Sequence, residues 1–310
     1  MRHSERSSKL AVLLTALMLV AVGPQAFAQG ITSERHVLYG VKPNGDLHFY
    51  EDETTIDYNR PTCRPPNYLD AGCLVWGGVW APRIWHEVAG PSVVGTGWNS
   101  VVDIIPAGAQ WLYTLTPTGD LNWYRHWGAS NGTFSWSGPV TVGTGWNYFK
   151  KIVAGSDGVL YGIDPSGNLW WYRHLDYKNP ATPPRWEGSR VVGTGWGSFH
   201  HVFGGVGGVV YAVAQDGTLY WYRHNGYLNG APQWEGPRKI GVGWAGFKHL
   251  FSTGLGHIYA VKHTGEVLWY LHQGVEDGSP KWIKDQGLKI AEGWSDYTRV
   301  FALMEITHYP

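Results

Sequence analysis

The sequence predicts an all-β fold: a five-bladed β-propeller of four-stranded antiparallel blades, its ring closed by pairing of the N- and C-terminal strands. Three observations carry this. An aromatic-basic strand recurs as NWYRH at Asn122–His126, WWYRH at Trp170–His174, YWYRH at Tyr220–His224 and LWYLH at Leu268–His272, with a weaker first copy, HFYED, at His48–Asp52. A Gly-Trp turn follows each copy: GTGW ending at Trp98, Trp146 and Trp196, GVGW ending at Trp244 and AEGW ending at Trp294. Successive turn tryptophans are 48, 50, 48 and 50 positions apart, and a fixed period of that length marks an array whose repeats lean on their neighbours.

The third module shows the elements most plainly. Phe149–Ala154 reads as a short strand, Ser156-Asp157-Gly158 as a turn and Val159–Ile163 as a second strand. Asp164-Pro165-Ser166-Gly167 makes a tight hairpin into a third strand, Asn168–His174, and after a polar loop Trp186–Val192 is the fourth. Short β-rich runs cut by Gly, Asp and Pro clusters are strand-and-turn sequence, and four such strands in one period make a propeller blade. Along the third strand, Leu169, Trp171 and Arg173 face one way and Trp170, Tyr172 and His174 the other. Large aromatics on both faces mean that both expect a neighbour, as between blades. Tyr39, Tyr113, Tyr161, Tyr211 and Tyr259 stand at equal phase in the second strand, where packing is their simplest role.

The ends complete the ring. Ser295–Ala302 matches the first strand of a module, while its second and third strands stand at the N-terminus as His36–Val41 and Asp46–Tyr50. One blade therefore takes strands from both ends, which removes the exposed sheet edges. The propeller domain spans 29–310 and carries an insertion at about 51–85.

Residues 1–28 are expected to be a cleaved signal peptide. Arg2, Arg6 and Lys9 precede a short apolar run at Leu10–Val22, and Ala26-Phe27-Ala28 is a small-x-small cleavage site. That run is short of the roughly 20 residues of a spanning helix, so the mature chain is expected to be secreted, extracellular or periplasmic, with no membrane insertion. Its removal leaves 21 basic against 23 acidic residues. A chain so balanced offers no polybasic field, which excludes nucleic acid as the expected partner. Cys63 and Cys73 lie inside the insertion and in an exported chain are expected to pair.

Gly-x-Gly-Trp-x-x-Phe stands at Gly143–Phe149, Gly193–Phe199 and Gly241–Phe247, with Gly-x-x-Tyr strands at Gly158–Ile163 and Gly208–Val213. These stretches resemble the tachylectin family of five-bladed β-propeller lectins, over roughly residues 36–302. The resemblance implies recognition of N-acetylglucosamine or N-acetylgalactosamine between adjacent blades, under the outer hairpin loop and beside the GxGW segment. The chain departs from the family in lacking an Asp-Asn-Trp triplet in that loop, and its third strand adds Arg-His; it resembles a divergent branch.

A sugar cleft needs an aromatic plate and a few fixed donors and acceptors. Three repeated groups offer them. The turn tryptophans Trp98, Trp146, Trp196, Trp244 and Trp294 sit in the connecting segment, where they serve equally well as wedges between blades. The pairs Arg125-His126, Arg173-His174 and Arg223-His224 end the third strand at the mouth of the outer loop, where the guanidinium fork can donate to hydroxyls or stack on nearby tryptophan. Five residues beyond each histidine stand Asn131, Asn179 and Asn229, with Asp277 after His272; these suit an acetamide or, more simply, a turn. Trp136, Trp186 and Trp234 begin the last strand and can floor the cleft. Copies two to four keep the whole set. The first has Glu51-Asp52 in place of Arg-His, and the fifth has Leu271 in place of Arg and lacks the Gly that follows the others' last-strand Trp, so three to five sites are expected.

No nucleophile-base pair or phosphate-cradling loop stands out, so no enzyme and no cofactor are expected. No metal is expected either: each module has one such histidine, without a partner at chelating spacing. The expected function is a multivalent, non-catalytic lectin for glycans carrying N-acetylhexosamines, a monomeric ring with several sites. The alternative is a secreted scaffold whose aromatics are all structural. A hydrolase in the insertion would have to use Glu51, Asp52, Glu53 or Asp57.

Overall fold

A computed structural model describes residues 31–63 and 80–305. The leader expected over 1–28 lies outside the described residues, as does Cys73 of the expected cysteine pair. Among the described residues, twenty strands form five antiparallel sheets of four. The first blade orders β20 (Arg299–Glu305), β1 (Ile31–Val41), β2 (Leu47–Cys63) and β3 (Trp80–Gly95). The second to fifth blades follow in the chain as β4–β7 over 103–143, β8–β11 over 151–193, β12–β15 over 201–241 and β16–β19 over 247–291.

In the third blade the strands are Lys151–Ala154, Val159–Ile163, Leu169–His174 and Trp186–Gly193, within two residues of the expected bounds. Ring closure is as expected too. β20 pairs antiparallel with β1 from Arg35↔Glu305 to Val41↔Arg299. The seam is tied at the turn by Lys42, which bonds Asp296 at 2.5 Å, and by Thr298, whose backbone N–H donates to Val41 O at 2.9 Å.

The first blade differs in length. Through the segment 51–57 the chain continues as strand, and β2 and β3 form a hairpin that extends past the other blades, with Asp57 opposite Arg83 and Thr62 opposite Ala81. Asp52, Thr54 and Ile56 alternate inward there. Period two is present, but it is written largely in polar residues, which hides the strand from a hydrophobic reading.

Both faces of every sheet are covered. Leu169 and Trp171 of the third blade pack with Val210 and Ala212 of the fourth, whereas Tyr172 packs back on the second blade's core. Trp171, Trp221 and Trp269 are fully buried, and each such burial contributes on the order of 2–3 kcal/mol. The innermost strands β20, β4, β8, β12 and β16 surround a central channel of about 460 Å³. One mouth is ringed by the residue that opens each inner strand: Asp103, Lys151, His201, Arg299 and, in the longer β16, His249.

Candidate binding clefts between the blades

The Gly-x-Gly-Trp turn has a steric reason for each of its fixed residues. The second glycine is left-handed, with φ of 79°, 74°, 80° and 82° at Gly97, Gly145, Gly195 and Gly243, and it starts a single 3-10 turn on the tryptophan. That backbone favours glycine. The first glycine lies under the indole: a Cβ built on Gly193 would sit 2.6 Å from Trp196 Nε1. Folded over that glycine, the ring is driven into the space between blades. Trp98, Trp146, Trp196, Trp244 and Trp294 are 8, 7, 5, 5 and 1% exposed, so their accessible area is an edge rather than a plate.

The tryptophans that begin the last strand meet them there. Trp136, Trp186, Trp234 and Trp282 donate their indole N–H to Val94, Val142, Val192 and Ile240 of the preceding blade, at 2.7–2.8 Å. Their rings contact the turn tryptophans at centroid distances of 5.0, 5.4, 5.4 and 5.6 Å. On the other side each packs on its own blade's histidine, from 4.0 Å for Trp136–His126 to 4.7 Å for Trp282–His272.

His126, His174, His224 and His272 have no exposed surface. Each takes a tyrosine from the second strand of the blade before it: Tyr39, Tyr113, Tyr161 and Tyr211 reach Nδ1 at 2.6, 2.8, 2.9 and 3.1 Å. Nε2 meets the outer loop's own carbonyl at Thr133, Ala231 and Ser279, and in the third blade the carboxylate of Asp176 at 3.0 Å. A carbonyl only accepts, so Nε2 carries the proton and Nδ1 accepts from the tyrosine. Burial pushes the imidazoles of His126 and His174 down to about 4, and lowers those of His224 and His272. These rings are neutral spacers between blades, out of a ligand's reach.

The fifth interface breaks the pattern. Asp52 stands where the other blades have histidine, and it accepts from Tyr259 at 2.7 Å and from Thr54 at 3.3 Å while facing His86 Nδ1 at 2.8 Å. Trp294 packs on Tyr50 and Tyr297, at 4.5 and 5.4 Å.

The arginines and asparagines lie at the outer-loop rim. Arg173 donates to Leu228 O of the next blade at 2.8 Å, and Arg223 to Glu276 O at 2.7 Å and to the Glu276 carboxylate. Arg125 stays in its own blade, held by Gln110 at 2.8 Å and stacked 3.4 Å over Trp127. Trp123, Trp171 and Trp221 latch each following outer loop through Tyr177, Tyr227 and Val275 carbonyls. Asn131, Asn229 and Asp277 are exposed, and each uses its side-chain oxygen to hold the loop N–H two residues on. Asn179 is exposed as well; Asp176 does the corresponding work in its longer loop, accepting from Ala181 and Arg185 N–H at 2.8 and 3.2 Å.

The expected set thus divides. Tryptophans and histidines converge in the blade interfaces, while arginines and asparagines converge on the rim. A groove of about 410 Å³ on the third blade brings Arg173 and Asn179 together with Asp157, Leu175, Asp176, Tyr177 and Lys178. Asp157 and Tyr177 lie outside the repeated phrase: Tyr177 recurs only as Tyr227, three residues after His224, and Gly207 stands in the fourth blade where the third has Asp157. The Tyr–His partnership was within reach, since both residues recur at equal phase; what the repeat alone does not reveal is that they belong to different blades.

A tachylectin family model matches residues 79–236 and, overlapping them, 178–309. No curated protein matches the chain. Among solved structures, yeast RCC1 (Prp20) bound to Kap60 is similar at 12% identity, over 81% of this chain and 66% of that one, with a TM-score of 0.32. Prp20p from Saccharomyces cerevisiae is similar at 11% identity, over 84% of this chain and 74% of that one, with a TM-score of 0.33. Likenesses at that level carry nothing for function. The family match and the ring of five four-stranded blades agree, and the chain belongs to the tachylectin family, as a lectin-type propeller.

Proposed function

We propose that this chain is an exported, non-catalytic, multivalent lectin that binds N-acetylhexosamine-bearing glycans at the outer-loop rim between its blades. The observation that carries this reading, beside the family, is the third-blade groove. It combines the ring of Tyr177, the guanidinium of Arg173, the carboxylate of Asp157 and the exposed amide of Asn179, the mixture of one aromatic surface and a few polar groups that suits a sugar ring with an acetamide. Several such sites held rigidly on one ring gain avidity on a glycan surface even where each binds weakly. On this reading the edges of the turn tryptophans border the clefts and their fluorescence reports on occupancy.

Titration with N-acetylglucosamine and N-acetylgalactosamine, followed by tryptophan fluorescence and by calorimetry, tests it. A saturable shift is expected, and the double variant Arg173→Ala, Asn179→Ala should lower the calorimetric stoichiometry by one site. Unchanged stoichiometry removes the groove from the site. The burial of the turn tryptophans and of all four interface histidines favours a second reading, a propeller scaffold whose aromatics only pack; a flat titration with both sugars would support it.

A further inference from the structure

The interface that closes the ring holds a cluster of side chains that the repeat does not account for. His257 of β17 (His257–Lys262) stands two residues before Tyr259, where the other blades have Val37, Trp111, Val159 and Val209. His36 of β1 stands three residues before Tyr39, where the others have Gln110, Gly158, Gly208 and Gly256. The two departures face each other across the first and fifth blades, with ring centroids 4.5 Å apart. Glu34, also on β1, reaches both: its carboxylate is 2.7 Å from His257 Nε2 and 3.7 Å from His36 Nε2. One ligand atom from each of the three residues lies within 4.8 Å of the others.

His36 makes this more than a ring-closing ion pair. It is 1% exposed, and among the described residues neither of its ring nitrogens has a hydrogen-bond partner. Leaving such a group buried and unpaired is destabilising, and an orphan of this kind points to a bound ion or water. Two imidazole nitrogens and a carboxylate, converging from two strands, are the donor set that borderline divalent ions take, with bonds of roughly 2.0–2.2 Å. The third-strand tryptophan departs from the repeat as well. Trp123, Trp171 and Trp221 each latch the next blade's outer loop, but Trp269 donates to His257 Nδ1 at 3.1 Å, fixing that ring with its Nε2 toward Glu34.

We propose that Glu34, His36 and His257 form a Zn²⁺-type metal site that clips the first blade to the fifth. On binding, the single proton of neutral His257 shifts from Nε2 to Nδ1, which frees Nε2 as a ligand. The Trp269 N–H then gives up Nδ1 as its acceptor. The fourth position is open to water. Because the ligands come from both sides of the seam, the ion binds the closed ring and stabilises it by mass action.

The test uses the untagged mature protein, stripped with a chelator and titrated with Co²⁺ and then Zn²⁺. Expected are visible Co²⁺ d–d bands that saturate at one equivalent, their loss on adding Zn²⁺, and a rise in melting temperature with either ion. His36→Gln and His257→Gln should each weaken binding by at least about tenfold, the lower end of what even indirect ligand-supporting residues cost. His201→Gln and His249→Gln, at the channel mouth, should leave it unchanged. The His36 ring has no hydrogen-bond partner among the described residues, so its variant is expected to fold; should His257→Gln unfold, the wild-type spectrum and His36→Gln still decide. The absence of a stoichiometric Co²⁺ band, or equal binding by the His36 variant, overturns the proposal and leaves a water beside His36.

Discussion

Four of the five blade interfaces are built alike and one is not, although all five bury the same kind of surface. Where the second to fifth blades pack on their predecessors, a tyrosine from one blade meets a neutral histidine of the next, and that histidine packs on a tryptophan. Where the first blade packs on the fifth, the tyrosine meets Asp52, which pairs in register with Val88 rather than a tryptophan, and Glu34, His36, His86 and His257 fill the seam. The repeated interfaces join blades consecutive in the chain, so their partners are close in sequence. The seam joins the two ends, with a sequence separation of 207 between Tyr259 and Asp52. Covering that seam with charge-assisted bonds concentrates strength where chain connectivity gives least.

The largest expected effect is the acid response of the repeated interfaces. His126 and His174 titrate at about 4 in the folded ring, and His224 and His272 are lowered in the same direction, all by burial; the unfolded chain binds the proton near 6.5. Between those values the unfolded state holds more protons, so stability rises with pH. It is complete above about 6.5 and is lost as pH falls toward 4. With each unit of separation worth about 1.4 kcal/mol, and with discounting for water access at the loop, about 1–2 kcal/mol is expected to disappear at each of His126 and His174, with losses of the same sign at His224 and His272. Urea titrations at pH 7 and pH 4.5 measure the sum. Replacing His224 with Gln should flatten the slope, and a slope unaffected by that change would sever the repeated interfaces from the acid response.

Next in size is the seam itself. Asp52 is fully buried, and Tyr259, Thr54 and His86 all face it. Asp52→Ala leaves two buried hydroxyls and an imidazole without that acceptor and is expected to cost about 2–4 kcal/mol. Tyr161→Phe, which removes one neutral bond to His224, should cost about 1 kcal/mol. Thermal melts of the two variants give the ratio; equal losses would mean that the carboxylate adds nothing over an imidazole.

How far this was legible in the sequence depended on repetition. In the third module the strand bounds, the two-faced burial of Leu169–His174 and the exchange of terminal strands follow from phase alone, because five noisy copies of one pattern reinforce each other. The long β2–β3 hairpin did not, since Asp52 and Thr54 alternate inward as polar groups with no second copy to compare. The candidate site was legible by residue type but not by depth: Arg173-His174 reads as one unit, yet adjacent strand residues face opposite sides, sending the imidazole into the second-blade interface and the guanidinium to the fourth blade's loop. His36 and His257 were invisible for the opposite reason: nothing in a repeat draws attention to positions that leave it.

The smallest expected effect returns to the turn. Four copies read Gly-x-Gly-Trp and the fifth, at the seam, reads Ala291-Glu292-Gly293-Trp294. The second glycine is left-handed in the fifth as in the others, φ 83°, so what the seam dispenses with is the glycine under the indole. In the third blade a Cβ at Gly193 would press on Trp196 Nε1 and Cδ1 at 2.6 and 3.2 Å. The ring cannot retreat, because Trp234 and Tyr222 lie against it at 5.4 and 4.8 Å. Gly193→Ala should therefore cost about 1–3 kcal/mol by overpacking. At the seam, Trp294 meets Tyr50 and Tyr297 and, among the described residues, no second indole, and Ala291 itself packs into that cluster. Ala291→Gly should then gain nothing from packing and lose up to about 1 kcal/mol through the freer unfolded chain. Denaturant midpoints of the two variants decide it: a loss at Gly193 with little change at Ala291 assigns the first glycine to the Trp-on-Trp interfaces alone, whereas a gain at Ala291 would show the seam to be a strained copy of the other four.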